Sequence, residues 1–344
     1  MDRETAALMF KEHSFIEKYR KVGYTVYADR IDKADVSIMI PTYKRPELLI
    51  KAVSSVLEQK TKYSIEIVIV DNDLETTQNN ISQILSKIND SRVCYIQNDE
   101  NIGMFGNWNR CIELSNSDWL IILNDDDELE ENYIEEMMNT ATSIPGCKAL
   151  CCRHYLIDDN GDSIPVKEIN ARQDKTIPIK MKDLYLMQPI DIMGCLFNRA
   201  AALKIGGFNG DLFPCSDAVF LMRMCAEKGL YLNTRKLFRY RWAVNESQRP
   251  ETRINFAKFQ VQKSFEINKK YKLYGNTLNR FITNSKCDYG FYPLMLEGII
   301  IEGNNETLRD ELGVDRKFSP FRRFLYRVIN RLYTYVIYGR KDAV

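Results

Sequence analysis

VSIMIPTYKRPELLIKAVSSVL, residues 36–57, sets an apolar run, a polar loop between two prolines and an amphipathic stretch in immediate succession. Val36–Ile40 predicts a short strand that Pro41 ends. Pro46 sits at a helix start, ahead of Leu48, Leu49, Ala52, Val53, Val56 and Leu57 at helical spacing. The alternation continues outward. Ile65–Val70 (IEIVIV) predicts a second strand, ending at Asp71-Asn72-Asp73, and a polar helix follows over roughly residues 77–88. Val93–Ile96 reads as a third strand and Gly106–Leu114 as a helix. Trp119–Leu123 (WLIIL) is a fourth strand running straight into Asn124-Asp125-Asp126-Asp127. Strands alternating with helices imply an α/β fold, a mostly parallel central sheet flanked by helices. The near-continuous apolar strands suit a sheet covered on both faces.

Beyond residue 130 the pattern loosens. Asp158-Asp159-Asn160-Gly161-Asp162 signals a turn between strands and hence a projecting hairpin. Ile192–Phe197 predicts a strand, Arg199–Ile205 a short helix, and Ser216–Lys228 a helix with Ser216 as its N-cap. Residues 251–274 contain neither Gly nor Pro and carry Ile254, Ala257, Val261 and Phe265 at helical spacing. The expected organisation is an extension over 1–34, an α/β domain over 35–245 and a mainly helical C-terminal region over 246–344.

The 344 residues are 45% hydrophobic and 28% charged, an ordinary globular composition. The 48 basic and 47 acidic residues nearly cancel, so no global field points to nucleic acid. Nine cysteines, an odd number without a CxxC pair, suit a reducing cytosol. MDRETAALMF mixes charges into its apolar residues and does not read as a signal peptide, and no apolar run approaches the ~18–20 residues of a membrane span. With only His13 and His154, a histidine-based metal site or Ser-His-Asp hydrolase is disfavoured. Cys147, Cys151, Cys152 and His154 read as a buried strand rather than a zinc site.

Ligands of open parallel sheets bind beyond the carboxyl ends of the strands. Here those ends carry Pro41-Thr42-Tyr43, Asp71-Asn72-Asp73 and Asn124-Asp125-Asp126-Asp127. Neither GxGxxG nor GxxxxGK[ST] occurs, so a phosphate ligand must be neutralised by a metal or by arginines. Crowded carboxylates at a strand end suit Mn²⁺ or Mg²⁺ carrying substrate phosphates. The same acids, continued by Glu128, Glu130 and Glu131, would also suit the first turn of a helix.

Five segments occur in one order: VSIMIPTYKR (36–45), IVIVDND (67–73), NIGMFGNWN (101–109), WLIILNDDD (119–127) and GGFNGDLFPCSD (206–217). Together they resemble the inverting glycosyltransferases of family 2, over roughly residues 35–245. The resemblance implies a GT-A fold, a nucleotide-diphosphate sugar donor (a UDP-sugar), and a glycan or lipid-linked acceptor in surface polysaccharide synthesis. It places Pro41, Thr42, Tyr43 and Arg45 at the nucleotide, with Asp71 on the base and Asp73 close to the nucleoside. Gly103, Asn107 and Asn109 fall beside the donor sugar and ribose. Asn124, Asp125 and Asp126 occupy the DxD positions; Asp126 would bind Mn²⁺ or Mg²⁺, supported by Asp125 and Asp127. Asp217 would be the catalytic base. Departures from the pattern are Asn124 for aspartate, Ser216 for an acid, Trp108 for a basic residue, and no histidine within 240–247. The alternative reading is a non-catalytic nucleotide-sugar-binding or scaffold subunit.

Residues 316–341 hold eight basic residues and no acid, leaving the rest of the chain at 40 basic against 47 acidic residues. Phe321, Phe324, Leu325, Val328, Leu332 and Tyr335 form one apolar stripe on a helix, with Arg323, Arg327 and Arg331 to the other side. The stripe either completes the core or, with residues 316–344, meets an anionic membrane. The second alternative implies a cytoplasmic chain peripheral on the inner face of the cell membrane.

Overall fold

The computed structural model describes residues 6–10, 14–165, 174–242 and 248–340. At its centre β2 (Val36–Thr42) pairs in parallel with β3 (Ile65–Asp71) and β5 (Trp119–Ile122), and β3 pairs in parallel with β4 (Val93–Asn98). The period of two sorts their side chains to opposite faces. Ile65, Ile67 and Ile69 enter one core with Leu49 and Val53 of α1 (Pro46–Leu57) and Ile81 of α2 (Gln78–Ile88). Val68 and Val70 enter the other, beside Cys111 and Ile112 of α3 (Gly103–Leu114). Thr77 caps α2 with a reciprocal side-chain box to Asn80.

The sheet continues past β5 through antiparallel β9 (Leu196–Asn198) to β7 (Ala149–Ile157). Then follow β10 (Leu230–Arg241), parallel to β7, and the short β6 (Glu128–Leu129). β8 (Thr176–Pro178) pairs with β10, and β1 (Tyr24–Val26) closes the opposite edge on β4. The sheet is therefore mixed with a parallel heart, in keeping with the expected class. Between them lie α4 (Tyr133–Ser143), α5 (Met181–Leu186), α6 (Arg199–Lys204) and α7 (Ser216–Ala226).

Several expectations shift by a few residues for identifiable reasons. Pro41 does not end β2, which runs to Thr42. The β5 register stops at Met39, so the missing Pro41 N–H denies no ladder bond on that side. The strand placed at 192–197 is confined to Leu196–Asn198. Cys215, not Ser216, is the N-cap of α7, without a side-chain cap bond. The turn at 158–162 forms as expected, closed by an Ile157–Ser163 bridge. Cys147, Cys151 and Cys152 are buried free thiols in or beside β7, and no group of three or more His, Cys, Asp or Glu side chains is gathered as a metal site among the described residues.

The N-terminal segment is part of the fold: Met9 and Ile16 are buried in the core shared with α3. The C-terminal helices α8 (Pro250–Tyr271), α9 (Asn276–Leu296), α10 (Glu302–Leu312) and α11 (Pro320–Tyr338) are equally integrated. Phe259, Ile267, Ile282 and Ile337 join that same core. The boundary expected at 245/246 lies outside the described residues.

The apolar stripe on α11 is mostly turned outward, with Leu325 and Val328 half-buried. Phe321, Phe324, Leu332, Tyr335 and Val336 are exposed, while Tyr326 and Ile337 on the opposite side are buried. The inner face is also tied by polar contacts. Arg322 Nε donates to Asp288 Oδ2 at 2.6 Å, Tyr333 OH to Asp183 Oδ1 at 2.7 Å, and Arg340 pairs with Asp183. Packing and exposure thus belong to different faces of one helix, and the stripe does not complete the core. Residues 341–344, including Lys341, lie outside the described residues.

Candidate active site

The carboxyl ends of β2, β3 and β5 open onto a cavity of about 490 Å³. Pro41, Thr42, Tyr43 and Arg45 line one side, Asn124, Asp125 and Asp126 the floor, and Asn107, Trp108 and Asp217 further walls. Each position follows from the local fold. The loop after β2 turns at Lys44, whose φ is +59°, before Pro46 starts α1. β5 delivers the acidic triplet, and the first turn of α7 delivers Asp217.

Asp125 is buried and held by the β2 loop: Thr42 Oγ1 donates to its Oδ2 at 2.8 Å and the Tyr43 N–H at 3.4 Å. Burial pushes its carboxyl up to about 6, against the Thr42 hydrogen bond. Asp126 Oδ2 accepts from Arg45 Nη1 at 2.7 Å, and the same Nη1 lies 3.5 Å from Asp125 Oδ1. A guanidinium therefore stands where a cation belongs, on a wall of oxygen donors. Those donors fit a hard divalent ion that keeps substrate oxygens and water as its other ligands.

Asp127 takes a different place from the one expected of a metal-supporting residue. It is fully buried, accepts from the Arg241 N–H at 2.9 Å and from Asn124 Nδ2 at 3.1 Å, and does not line the cavity. Burial holds its carboxyl well above the ordinary range. Asparagine at 124 has a physical reason: it donates to Asp127, where a fourth carboxylate would be repelled.

Asp71 is buried beneath the cavity wall, accepting from the Asp73 N–H at 2.8 Å and from Tyr95 OH at 2.8 Å. Burial raises its carboxyl above the ordinary range. Asp73 accepts from the Glu75 N–H at 3.2 Å and lies 3.8 Å from Lys44 Nζ. Neither lines the cavity; Asn72 between them does. Its Nδ2 donates to Asn101 Oδ1 at 3.0 Å and to the Gly103 carbonyl at 3.2 Å. Gly103, with φ at +72°, begins α3 in a conformation open to glycine.

Asn107 reaches the cavity while donating to the Val70 carbonyl at 2.8 Å. Asn109 does not. Its Nδ2 donates to the Phe208 carbonyl at 2.8 Å and its Oδ1 accepts from the Phe208 N–H at 2.7 Å. Asn109 thus ties α3 to the loop ahead of α7, and Phe208 stacks on Phe220 at 4.2 Å between ring centroids. Through that tie one motif positions another.

Asp217 faces the triplet from α7. Burial pushes its carboxyl up to about 6, and its Oδ1 is buried without a hydrogen-bonding partner in the protein. Met193, Pro214, Tyr240, Thr252 and Phe256 complete its surroundings. No local pattern marks these residues, because they come from loops and helices that only the tertiary fold brings together.

The Glycosyl transferase family 2 model matches residues 37–205. The chain carries a family 2 glycosyltransferase domain. WcaA of Escherichia coli K12, a glycosyl transferase named for colanic acid biosynthesis, is 28% identical over 198 residues, 56% of this chain and 67% of that protein. The GalNAc(5)-diNAcBac-PP-undecaprenol beta-1,3-glucosyltransferase of Campylobacter jejuni is 25% identical over 205 residues, 59% of this chain and 63% of that one. The chain thus spans about two thirds of the length of these curated relatives. Among solved structures, S. aureus TarS 1–349 in complex with UDP-GlcNAc superposes with a TM-score of 0.54 at 14% identity, covering 90% of this chain and 94% of that one. The likeness establishes a GT-A-type fold.

Proposed function

We propose that this glycosyltransferase moves a sugar, with inversion, from a UDP-sugar to a hydroxyl of a glycan or lipid-linked acceptor in surface polysaccharide synthesis. The observation that carries the reading is one cavity with two kinds of carboxylate on its walls. Asp126 sits beside Arg45 at the sheet's carboxyl edge, and Asp217 enters from α7 with a raised affinity for protons. Asp217 accepts the acceptor's proton as its oxygen attacks the anomeric carbon. Arg45 provides positive charge where the diphosphate departs. A Mn²⁺ or Mg²⁺ ion on Asp126 would carry diphosphate oxygens and offset the charge of the leaving group. The names of the E. coli and C. jejuni relatives support polysaccharide and lipid-linked chemistry. Calorimetry with UDP-sugars, with and without Mn²⁺, tests the donor reading; no UDP-sugar binding under either condition contradicts it.

The outer face of α11 supports a second element of the proposal, a membrane surface as partner. Phe321, Phe324, Leu332 and Tyr335 are exposed along one stripe, and Arg327 and Arg331 beside them are exposed as well. Apolar side chains flanked by arginines complement an anionic interface. No described helix is long and apolar enough to cross a membrane. The contact proposed here is α11 lying in the plane of the surface, on the cytoplasmic side.

A further inference from the structure

Behind Asp217 lies a second cavity, of about 640 Å³, which shares Met193, Asp217, Tyr240 and Phe256 with the first. We infer that this chamber is the acceptor site and that it takes a neutral sugar ring rather than a phosphate, with Asp191, Gln248 and Trp242 as its binding residues. The inference rests on the reading of Asp217 as the base and adds the class of acceptor.

Three buried polar atoms on residues lining the chamber have no hydrogen-bonding partner in the protein: Asp191 Oδ1, Asp217 Oδ1 and Gln248 Nε2. Two are carboxylate acceptors and one is an amide donor. A hydroxyl group both donates and accepts, so a polyol satisfies all three at once. A phosphate only accepts, and it would meet two carboxylates. The arginine on the wall is already matched by an acid, and the histidine lies beside one. Arg253 Nη2 donates to Glu297 Oε1 at 2.8 Å, and His154 Nδ1 lies 3.6 Å from Asp191 Oδ2. Trp242 is 48% exposed, with its ring centroid 6.3 Å from that of Tyr240. Such an aromatic face suits the C–H face of a sugar ring, amphipathic like the indole itself.

The shared wall fixes the direction of the reaction. The acceptor's hydroxyl oxygen forms the new bond to the anomeric carbon and its proton passes to Asp217. The bond from that carbon to the diphosphate oxygen breaks, and the nucleoside diphosphate leaves with the electron pair.

The test uses the full-length chain and its Asp191→Asn, Trp242→Ala and Trp242→Phe variants. Binding of methyl glycosides of neutral hexoses and N-acetylhexosamines, and of decyl phosphate, is read by saturation-transfer NMR. UDP-sugar affinity is measured on the same preparations. A neutral glycoside should bind the wild type. It should lose at least about tenfold in affinity in Asp191→Asn and Trp242→Ala, and recover in Trp242→Phe. The inference is overturned if decyl phosphate alone binds, if no glycoside binds, or if glycosides bind all variants equally. Absence of UDP-sugar binding in the wild type would instead sink the donor reading, so the two failures are distinguishable.

Discussion

Replacing Phe321 and Phe324 by alanine should release the protein from anionic vesicles while leaving its fold intact. The two rings are 67% and 63% exposed, so each has about two thirds of its surface still to bury. Full burial of such a side chain is worth about 1.5–3 kcal/mol, which leaves about 1–2 kcal/mol for each ring at an interface. The double variant should therefore bind about 30- to 1000-fold more weakly. Alanine sustains the helix, and exposed substitutions usually change stability by less than about 0.5 kcal/mol, so the melting temperature should hold. Co-sedimentation with phosphatidylserine-containing vesicles reads the binding, and calorimetric melting reads the fold. Binding should also fall as salt rises, because Arg327 and Arg331 contribute about 1 kcal/mol each near an anionic surface. A double variant that sediments like the wild type, or that melts much earlier, would refute the division of α11 into an outward stripe and an inward anchor.

Tyr326→Ala, on the inner face, should cost about 3 kcal/mol or more by thermal melting, because it empties a buried site and removes the hydroxyl's bond to the Leu186 carbonyl. Asn109→Ala leaves the Phe208 N–H and carbonyl without their partner and should cost about 2 kcal/mol or more; wild-type stability would contradict its role as a tie. Asp126→Ala should abolish the Mn²⁺ dependence of UDP-sugar affinity, and calorimetry showing the same Mn²⁺ response as the wild type would count against Asp126 as the ligand. The carboxyls of Asp125 and Asp217 are both raised to about 6, so the folded chain binds more protons than the unfolded one between about pH 4 and 6. Stability should fall as pH rises through that window, whereas kcat/KM should rise through about pH 6 as Asp217 ionises; an acidic limb near 4 would contradict the burial of the base.

The parallel heart of the sheet was legible because β2, β3 and β5 are buried on both faces and read as continuous apolar runs. β9, three residues long, and the antiparallel pairs that flank it have no such signature; tertiary packing selects them. At the site, the acidic triplet and Asp217 were legible as chemistry but not as direction. Residue spacing could not tell that Asp126 faces the cavity while Asp127, one position on, turns inward to the Arg241 N–H. The family resemblance placed Asn109 beside the donor, yet the helix points its amide at Phe208. Similarly, the stripe on α11 was correctly read as one face, but periodicity alone carries no information about which face meets the core. Phe256 and Thr252 reach the cavity from α8, more than a hundred residues after the triplet in the chain, and no local pattern marks them.

Transfer by the Asp217→Asn variant tests the central claim most directly. With a UDP-sugar and a glycan or lipid-linked saccharide acceptor, wild type should release UDP and form a product whose anomeric configuration, read by NMR, is inverted. The variant should bind the donor within about twofold of wild type and lose at least about 10²-fold in turnover. Retained configuration in the product, or a variant working within about tenfold of wild type, would contradict Asp217 as the base of an inverting transfer.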